Sequence, residues 1–438
     1  MPIRTPIATV QSICGDQRVI QGVHYRLSKH CVSVICEEGN LLYHTMTGAL
    51  LLLANGESRE SAFDKLVEDW FLVPEGFNEQ KHVDDMRRII QMLQPKKHVK
   101  TDFTVLTTTD CNARCFYCYE LGIRRFSMTE EMAENAARYI IAECKGNPVK
   151  LRWFGGEPLY NWQAIDTICR ILQDNGISFE SSMVSNGYYL DQKTAEKACL
   201  SWHLKKVQIT IDGTVEIYNR TKAYIDAEGN PYEKVMENIQ TALQAGIYVT
   251  IRLNMDAGNA HDLLLLLDDI GGRFAGHENL DIYIALLQEF SGRIHRHEYE
   301  SQTEQAYYDL RDKAEAMRLL RYKKLPAELT INRCMADNEE SETILPDGRV
   351  GRCEHYSEAM ITGDIWNNKR DPVVLNNWKE PLSVPECAEC VLYPQCQKLK
   401  LCEWNREGCN ELDRRIKITE LRNQILSAYR EYKEGVRK

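Results

Sequence analysis

The sequence predicts an α/β fold built on a parallel sheet, either open or curled into a barrel. Between residues 102 and 290, strand-like and helix-like segments alternate six times, which is the order that produces parallel sheets. The composition is that of a globular chain, with 43% hydrophobic and 27% charged residues. The longest apolar runs, Ala49–Ala54 and Leu263–Leu267, are far too short to span a membrane.

Six strands are predicted in this central region, with helices between them. The predicted strands are Asp102–Thr108, Val149–Phe154, Phe179–Val184, Lys206–Ile211, Ile247–Leu253 and Leu280–Leu287. Apolar residues at helical spacing predict the helices Thr129–Cys144, Tyr232–Ala245 and Ala260–Phe274. Because ligands bind at the carboxyl ends of such strands, the residues that follow each strand are the first candidates for a site.

The first 95 residues have a different pattern, in which short strands precede helices. Cys31–Cys36 is predicted as a strand that ends in a hairpin turn at Glu37–Asn40. Helices are then predicted at Thr47–Ala54, Ser58–Trp70 and Asn78–Leu93. The first of these helices should stop at the Asn-Gly pair that follows it.

We expect three domains, at residues 1–95, 96–325 and 326–438. Residues 300–325 look helical, whereas the chain after Cys334 is rich in turns and has little periodic structure. Such a segment cannot bury a large core, and a metal framework would compensate for that.

Charge and cysteine content limit the class of protein. Lys and Arg number 54 against 64 Asp and Glu, a net charge of −10, so binding to nucleic acid is not expected. Met1–Val10 has no apolar core of a signal peptide, and we expect a cytoplasmic protein without a membrane partner. In that compartment thiols stay reduced, so clustered cysteines indicate metal ligands or catalytic groups.

The 16 cysteines fall into three sets. Three form a tight group after the first predicted strand, seven crowd the last quarter of the chain, and six are scattered. The scattered six are interpreted as buried small hydrophobic residues, which is how free cysteine usually behaves. They are Cys14, Cys31, Cys36, Cys144, Cys169 and Cys199.

The first group, Cys111, Cys115 and Cys118, has the spacing C-x3-C-x2-C. Three thiolates so close together can hold three irons of a [4Fe–4S] cluster and leave the fourth iron open to a ligand. Zinc is the alternative, but structural zinc requires four protein ligands.

This motif, with Tyr117 before its last cysteine, resembles the radical S-adenosylmethionine (radical SAM) superfamily. Phe154–Pro158 resembles the GGEP segment of that family and follows the second strand. Ser185–Gly187 follows the third strand and resembles its T/S-N-G segment. Thr210–Gly213 follows the fourth strand, with Tyr218–Arg220 beyond it. The resemblance covers roughly residues 100 to 290.

The resemblance implies a partial (β/α)6 barrel of the TIM type. The open iron would chelate SAM, and its reduction by a donor such as flavodoxin or ferredoxin would cleave SAM to methionine and a 5′-deoxyadenosyl radical. That radical would abstract a hydrogen atom from the substrate. The resemblance implies these SAM-contacting residues: Tyr117, Gly155, Gly156, Glu157, Ser185, Asn186 and Arg220.

The C-terminal cysteines resemble the SPASM extension of radical SAM proteins, which holds two auxiliary [4Fe–4S] clusters. The resemblance assigns Cys334, Cys353 and Cys402 to the first cluster. It assigns Cys387, Cys390, Cys396 and Cys409 to the second. Five residues precede Cys402 where the family usually has three. One iron of the first cluster would lack a cysteine from this set, and a zinc ribbon is the alternative for the second set.

The N-terminal region resembles the RiPP recognition element, a small winged-helix domain that binds leader peptides. In that family the leader adds as a strand to a sheet edge, here expected around Leu27–Ile35. A purely structural cap on the barrel is the alternative.

Three functions are compatible with these motifs. The leading hypothesis is a maturase that removes a hydrogen from a ribosomal precursor peptide and installs a crosslink, above all a thioether to a cysteine. The second is an anaerobic sulfatase-maturing enzyme that forms formylglycine from Cys or Ser. The third is a non-catalytic iron–sulfur protein that binds peptides. No general acid or base can be named from the sequence.

Overall fold

The computed structural model describes two compact units. The sheet unit spans Lys96–Arg321 and Cys334–Lys379, and the terminal unit combines Met1–Pro95, Tyr322–Arg333 and Glu380–Lys438. The predicted C-terminal segment is therefore divided between the two units. The described residues are 18–20, 23–56, 59–93, 99–225, 227–287, 300–322, 324–326, 334–355, 357–367, 369–379, 384–396, 399–402 and 411–436. None of the helices within these ranges is long and apolar enough to cross a membrane.

Six of the strands in the sheet unit run parallel and follow one another in chain order, which confirms the predicted α/β fold. These strands are β7 (Asp102–Thr108), β8 (Val149–Gly155), β9 (Phe179–Ser185), β10 (Leu204–Ile211), β11 (Tyr248–Met255) and β12 (Leu280–Leu286). Each observed strand lies within two residues of its prediction, because runs of apolar and β-branched residues bounded by turns specify both the type and the ends of a strand.

The three helices predicted between the strands are confirmed, and the helical stretch predicted at 300–325 ends at Ala316. Other helices of this unit were not predicted. The helices of the sheet unit are α3 (Glu130–Cys144), α4 (Trp162–Asp174), α5 (Gln192–Leu200), α6 (Val215–Lys222), α7 (Pro231–Gln244), α8 (Ala260–Phe274), α9 (Glu300–Ala316) and α10 (Pro372–Asn377). Local chemistry determines where they start: the Thr129 side chain accepts a hydrogen bond from Met132 N, and Asn230 caps α7 just before Pro231. Buried apolar residues on one side of the strands, such as Ile209 and Leu253, are fully inaccessible to solvent.

Three further strands extend this sheet beyond β7. They are β13 (Ser341–Ile344), β14 (Arg349–Gly351) and β15 (Ile361–Asp364). β13 pairs parallel to β7, and β14 and β15 continue as an antiparallel meander. The sequence did not predict these strands, because each is only three or four residues long and the interval shows no periodicity.

The terminal unit contains two three-stranded sheets, ordered β1-β2-β6 and β3-β4-β5, and three helices among its described residues. The strands are β1 (Arg18–Ile20), β2 (Val23–Leu27), β3 (Cys31–Cys36), β4 (Gly39–His44), β5 (Leu50–Ala54) and β6 (Leu72–Pro74). The helices are α1 (Arg59–Glu68), α2 (Glu79–Leu93) and α11 (Glu411–Val436). The hairpin at Glu37–Asn40 and the two helices after residue 58 are confirmed.

The helix predicted at Thr47–Ala54 is wrong, because Leu50–Ala54 is a strand that pairs antiparallel with β4. A run of four leucines has no polar positions, so it carries neither the helical nor the strand period. The pairing of this segment with β4 makes it a strand. The two backbones approach so closely that a Cβ at Gly39 would lie 2.0 Å from the carbonyl oxygen of Leu53.

The two ends of the chain share one core in the terminal unit. Val32, Val34, Leu41 and Tyr43 pack with Ile425 of α11. Polar contacts also join the N-terminal part to the cysteine-rich segment: Thr45 Oγ1 donates to Val391 O at 2.8 Å, and Tyr393 Oη donates to Asp84 Oδ1 at 2.9 Å. The part of the chain from Glu380 onward therefore shares a compact unit with the N-terminal residues.

Two histidines are buried in the terminal unit. His30 and His44 are only 2% and 4% exposed, and Ser28 Oγ lies 3.1 Å from Nε2 of His44. Burial lowers the pKa of each imidazole to about 4. Glu79 lies in the same network and accepts from Ser28 Oγ at 2.5 Å.

We predict that stability falls between pH 6.5 and 4. An unfolded histidine takes up a proton near pH 6.5, whereas these two resist protonation until about 4, so acid favours the unfolded chain. Each histidine contributes at most about 1.4 kcal/mol per pH unit. Thermal unfolding should show a smaller acid loss in a His30→Gln/His44→Gln variant than in the control His24→Gln, whose residue is exposed. Equal losses would contradict this assignment.

Candidate active site

The three cysteines of the first group lie on the loop after β7, at the carboxyl end of the parallel strands. The loop begins with Asp110, whose Oδ1 accepts from Cys111 N at 2.8 Å. The Sγ of Cys111 accepts from Ala113 N at 3.3 Å, and Cys118 N donates to Cys115 O at 3.2 Å. A backbone N–H directed at sulfur favours the thiolate, which is the form that binds iron.

The three thiols of this loop stay protonated in the absence of a metal, although each cysteine is partly exposed to solvent. Burial raises the pKa of Cys111 and of Cys118 to about 12, and it also raises the pKa of Cys115. Iron must therefore displace protons as it binds. Across the described ranges, no three Cys, His, Asp or Glu side chains are grouped to hold a single ion.

Two glycines allow the end of β8 to lie against this loop. A Cβ at Gly155 would lie 2.1 Å from Thr108 O, and one at Gly156 would lie 2.2 Å from Asp110 O. Gly155 also has a φ of +117°, which L-residues rarely adopt. Gly155 and Gly156 were predicted to contact SAM, and in the structure their backbone lies against the end of β7 and the cysteine loop.

Glu157 joins three strand ends. Its carboxylate is fully buried: Oε1 accepts from Leu159 N at 3.1 Å and Ser185 Oγ at 2.8 Å, and Oε2 accepts from Asn186 N at 2.7 Å. Its backbone N donates to Asp110 O at 3.0 Å. Burial raises its pKa to about 7, against the opposing effect of these hydrogen bonds.

Asn186 connects the third strand to the cysteine loop. Its Nδ2 donates to Asn112 Oδ1 at 2.7 Å and lies 3.7 Å from the Sγ of Cys111. Its Oδ1 accepts from Tyr188 N at 2.9 Å, so the amide orientation agrees with its neighbours. Ser185 and Asn186 thus lie buried beside the cysteine loop, and their contact with SAM stays a prediction.

A buried ion pair supports the other side of the loop. Lys222 Nζ lies 2.9 Å from Asp212 Oδ2, and the two side chains are 3% and 2% exposed. Tyr117 Oη donates to Asp212 Oδ1 at 2.8 Å and accepts from Lys222 Nζ at 3.1 Å. The backbone carbonyl of Lys222 accepts from Arg114 N at 2.7 Å. Tyr117 is therefore held in place by charge on both sides.

Lys222 was not among the predicted site residues. Arg220, which was predicted to meet the SAM carboxylate, lies exposed on α6, two residues before Lys222. The signal that could have indicated Lys222 is its place in the last turn of a helix that follows a strand, but lysines there are usually solvated. Only its burial reveals its role.

Tyr119 and His355 form a second contact of the cysteine loop. Their ring centroids are 4.0 Å apart, and His355 N donates to the Sγ of Cys353 at 3.4 Å. Burial, followed by the charge of Arg252, lowers the pKa of His355 to about 4, so the ring is neutral at pH 7. This pair joins the loop of the first cysteine group to one cysteine of the second.

The other predicted cluster ligands are distributed over both units. Cys334 and Cys353 lie in the sheet unit, and Cys387, Cys390, Cys396 and Cys402 lie in the terminal unit. Cys409 falls outside the described residues. Their grouping into two clusters stays a prediction.

A buried arginine fixes the pair in the sheet unit. Cys334 precedes a short 3₁₀ turn at Met335–Asp337, and Arg352 directly precedes Cys353. Arg352 is 5% exposed. Its guanidinium donates to the carbonyl oxygens of Ala336, Asn338 and Ser341.

We predict that Gly156→Ala displaces the cysteine loop. The new Cβ would meet a backbone carbonyl, which cannot rotate away, so the loop or the end of β8 must shift. Iron content after anaerobic reconstitution should fall by more than half. The matched control is Gly272→Ala on α8, where a Cβ meets nothing within 4 Å. Equal iron content in both variants would show that the close approach does not matter.

Comparisons with known proteins agree with this geometry. Residues 105–269 match the Radical SAM superfamily. Over 172 residues the chain is 30% identical to a GTP 3′,8-cyclase of Campylobacter fetus subsp. fetus, an overlap of 37% of this chain and 50% of the cyclase. It is 21% identical over 204 residues to the radical SAM cyclopropyl synthase TigE of Paramaledivibacter caminithermalis, an overlap of 42% of each. The chain thus spans about half the length of the curated relatives it matches.

Solved structures share the fold over a larger part of the chain. Native anSMEcpe with bound AdoMet superposes with a TM-score of 0.59 at 14% identity, covering 76% of this chain and 100% of that one. Streptococcus suis SuiB bound to precursor peptide SuiA gives 0.51 at 13% identity, covering 88% and 95%. Such identities show likeness of fold alone. Residues 105–269 of the chain therefore carry a Radical SAM superfamily domain.

Proposed function

We propose that this protein is a maturase that abstracts a hydrogen atom from a residue of a ribosomal precursor peptide and installs a crosslink. A thioether to a substrate cysteine is the leading form of that crosslink. The observation that carries the proposal is the cysteine loop at the open end of the sheet, seated by Glu157, Asn186 and the Asp212–Lys222 pair.

The peptide substrate is supported by the fold neighbours. SuiB is described with its precursor peptide SuiA, and anSMEcpe with a Cp18Cys peptide. The likeness to SuiB covers 88% of this chain, against 76% for anSMEcpe. The larger share favours a protein organised like SuiB.

In this proposal Cys111, Cys115 and Cys118 hold a [4Fe–4S] cluster. With SAM bound, that centre supplies the 5′-deoxyadenosyl radical that removes the substrate hydrogen. The chain's own residues donate N–H groups to the Sγ of Cys111. SAM would be met by the residues predicted for it, which are Tyr117, Gly155, Gly156, Glu157, Ser185, Asn186 and Arg220.

Lys222 is added to this set as a candidate for the SAM carboxylate. Its ammonium group is fully enclosed, and Asp212 raises its pKa well above the ordinary value against the effect of burial, so it stays charged. A buried cation beside the cysteine loop also offsets the negative charge that thiolates bring. Arg220, by comparison, is exposed.

Two auxiliary clusters belong to the same proposal. Cys334, Cys353 and Cys402 would hold one of them, and the remaining C-terminal cysteines would hold the other. One iron of the first cluster would lack a cysteine ligand from this set. A substrate thiolate could bind that iron, which suits thioether formation. An electron donor such as flavodoxin or ferredoxin would serve as the redox partner.

The N-terminal region would bind the leader of the precursor as a winged-helix-like recognition domain. Within the described residues, β3 is paired only with β4. β3 includes the second half of the predicted edge around Leu27–Ile35. A leader strand could add to its other side through main-chain hydrogen bonds.

Sulfatase maturation is the second candidate. The match to anSMEcpe spans the full length of that chain, which favours it. The two candidates differ in product: formylglycine formation from Cys loses sulfur, whereas a crosslink retains it.

Co-expression with the short peptide encoded beside this gene tests the proposal. Mass spectrometry should show a loss of two hydrogens without loss of sulfur in that peptide. A peptide of unchanged mass, under conditions in which SAM is cleaved, would contradict the maturase assignment.

We predict that Cys→Ala at Cys111, Cys115 or Cys118 abolishes SAM cleavage, because two thiolates cannot hold the cluster with one iron open. Anaerobic formation of 5′-deoxyadenosine should fall at least ~100-fold, since a lost ligand leaves no working centre. Cys199→Ala, outside the loop, is the control and should retain activity. Retained cleavage in a loop variant would overturn the cluster assignment.

We predict that Lys222→Met is far more damaging than Arg220→Met. Removing the ammonium leaves the Asp212 carboxylate buried without its ion partner, a change that typically costs about 3–5 kcal/mol of folding free energy. An exposed substitution usually stays within about 0.5 kcal/mol. Thermal unfolding and the KM for SAM should both separate the two variants. A raised KM for Arg220→Met alone would instead assign the carboxylate to Arg220.

A further inference from the structure

The face of the sheet opposite the helices is polar where β10, β11 and β12 meet. Gln208, Arg252 and Tyr283 share this face, since Arg252 pairs in register with Tyr283 and Tyr283 Oη donates to Gln208 Oε1 at 3.0 Å across the intervening strand. All three side chains are half-buried, whereas Ile209 and Leu253 on the other face are inaccessible. Ligands of such folds bind at the carboxyl ends of the strands, and Arg252 lies three residues before the end of β11.

Arg252 is held in one orientation on this face. Its Nε donates to Asn254 Oδ1 at 2.8 Å, and its guanidinium carbon lies 6.0 Å from the centroid of the Tyr283 ring. In the described part of the chain, Arg252 forms no ion pair, although it is half-buried. The guanidinium also forms a hydrogen bond with the Tyr283 side chain, and its remaining terminal N–H groups are available to an acceptor.

Two carboxylates at the open end, those of Asp212 and Glu157, already have partners within the chain. Asp212 pairs with Lys222, and Glu157 accepts from two backbone N–H groups and a serine. Asp281, also on β12, lies opposite Thr250 rather than Arg252 and nearer the amino end of the strands. A half-buried guanidinium without a carboxylate partner favours an anion from outside the chain.

A hydrogen-bond chain connects Arg252 to the cysteine loop. Asn254, which orients Arg252, donates through Nδ2 to Asp212 Oδ1 at 3.1 Å. Asp212 in turn accepts from Tyr117 Oη at 2.8 Å, and Tyr117 precedes Cys118. An anion bound by Arg252 would therefore lie at a set distance from the loop that cleaves SAM.

We infer that Arg252 binds a substrate carboxylate, the side chain of an Asp or Glu in the peptide, and thereby places the neighbouring residue for hydrogen abstraction. This inference rests on the proposed function and names the substrate class of the same site. The planar guanidinium matches a carboxylate in a bidentate way that Lys cannot. The peptide segment that binds at this sheet is accordingly acidic.

Three synthetic peptides test the inference. They share one sequence, are acetylated and amidated, and differ only in a central Glu, Gln or Lys. Their dissociation constants are measured by calorimetry with the reconstituted enzyme and SAM. The wild-type protein should bind the Glu peptide at least ~10-fold more tightly than the Gln peptide, the usual effect of a charge-assisted pair. Arg252→Met should abolish that preference, and Arg252→Lys should reduce it.

Arg152→Met is the matched control, because Arg152 is a half-buried arginine on β8 that contacts the sulfur of Met335. It should retain the preference for Glu. Equal affinities of the wild-type protein for the Glu and Gln peptides, or no binding of either, would overturn the inference. So would an Arg252→Met variant that weakens SAM binding but keeps the Glu preference, since the carboxylate would then be that of SAM. Failure of the proposed function is distinguishable, because it appears as absent SAM cleavage or an unmodified precursor.

Discussion

The buried carboxylate of Glu157 is the interaction on which the rest of the site depends. It collects hydrogen bonds from the residues after β8 and β9, and its own backbone N–H binds the start of the cysteine loop. An isolated buried carboxylate would be costly, but three donors compensate for the lost water. Because the donors come from different strand ends, the same bonds that solvate the charge also set the distances between the loops.

The glycines beside Glu157 make this arrangement possible. A loop that must present three cysteines cannot supply its own core, so it is held by backbone contact with its neighbours. Gly155 and Gly156 bring the β8 backbone within reach of the carbonyls of Thr108 and Asp110. On the other side, the Asp212–Lys222 pair replaces apolar packing with charge. Loss of the glycine contacts or of the ion pair would leave the cysteine spacing in the sequence unchanged but would displace the thiols from one another in the fold.

One polar network extends from the cysteine loop to the face that would receive a substrate. It runs from Tyr117 through Asp212 and Asn254 to Arg252. Each member is oriented by the next, so a substitution at one place alters the geometry of the others. The terminal unit follows a different principle, since there the two chain ends form a common apolar core through β3 and α11.

The sequence alone determined what depends on local order. The spacing of the Cys111 group, the Gly-Gly-Glu segment and the six strands could all be predicted, because thiolate spacing, glycine conformation and apolar runs are local properties. The strand at Leu50–Ala54 was missed, since only its pairing with β4 distinguishes it from a helix. Lys222 and Arg252 could not be singled out either. Their roles come from burial and from partners far along the chain, and only the tertiary structure brings those together.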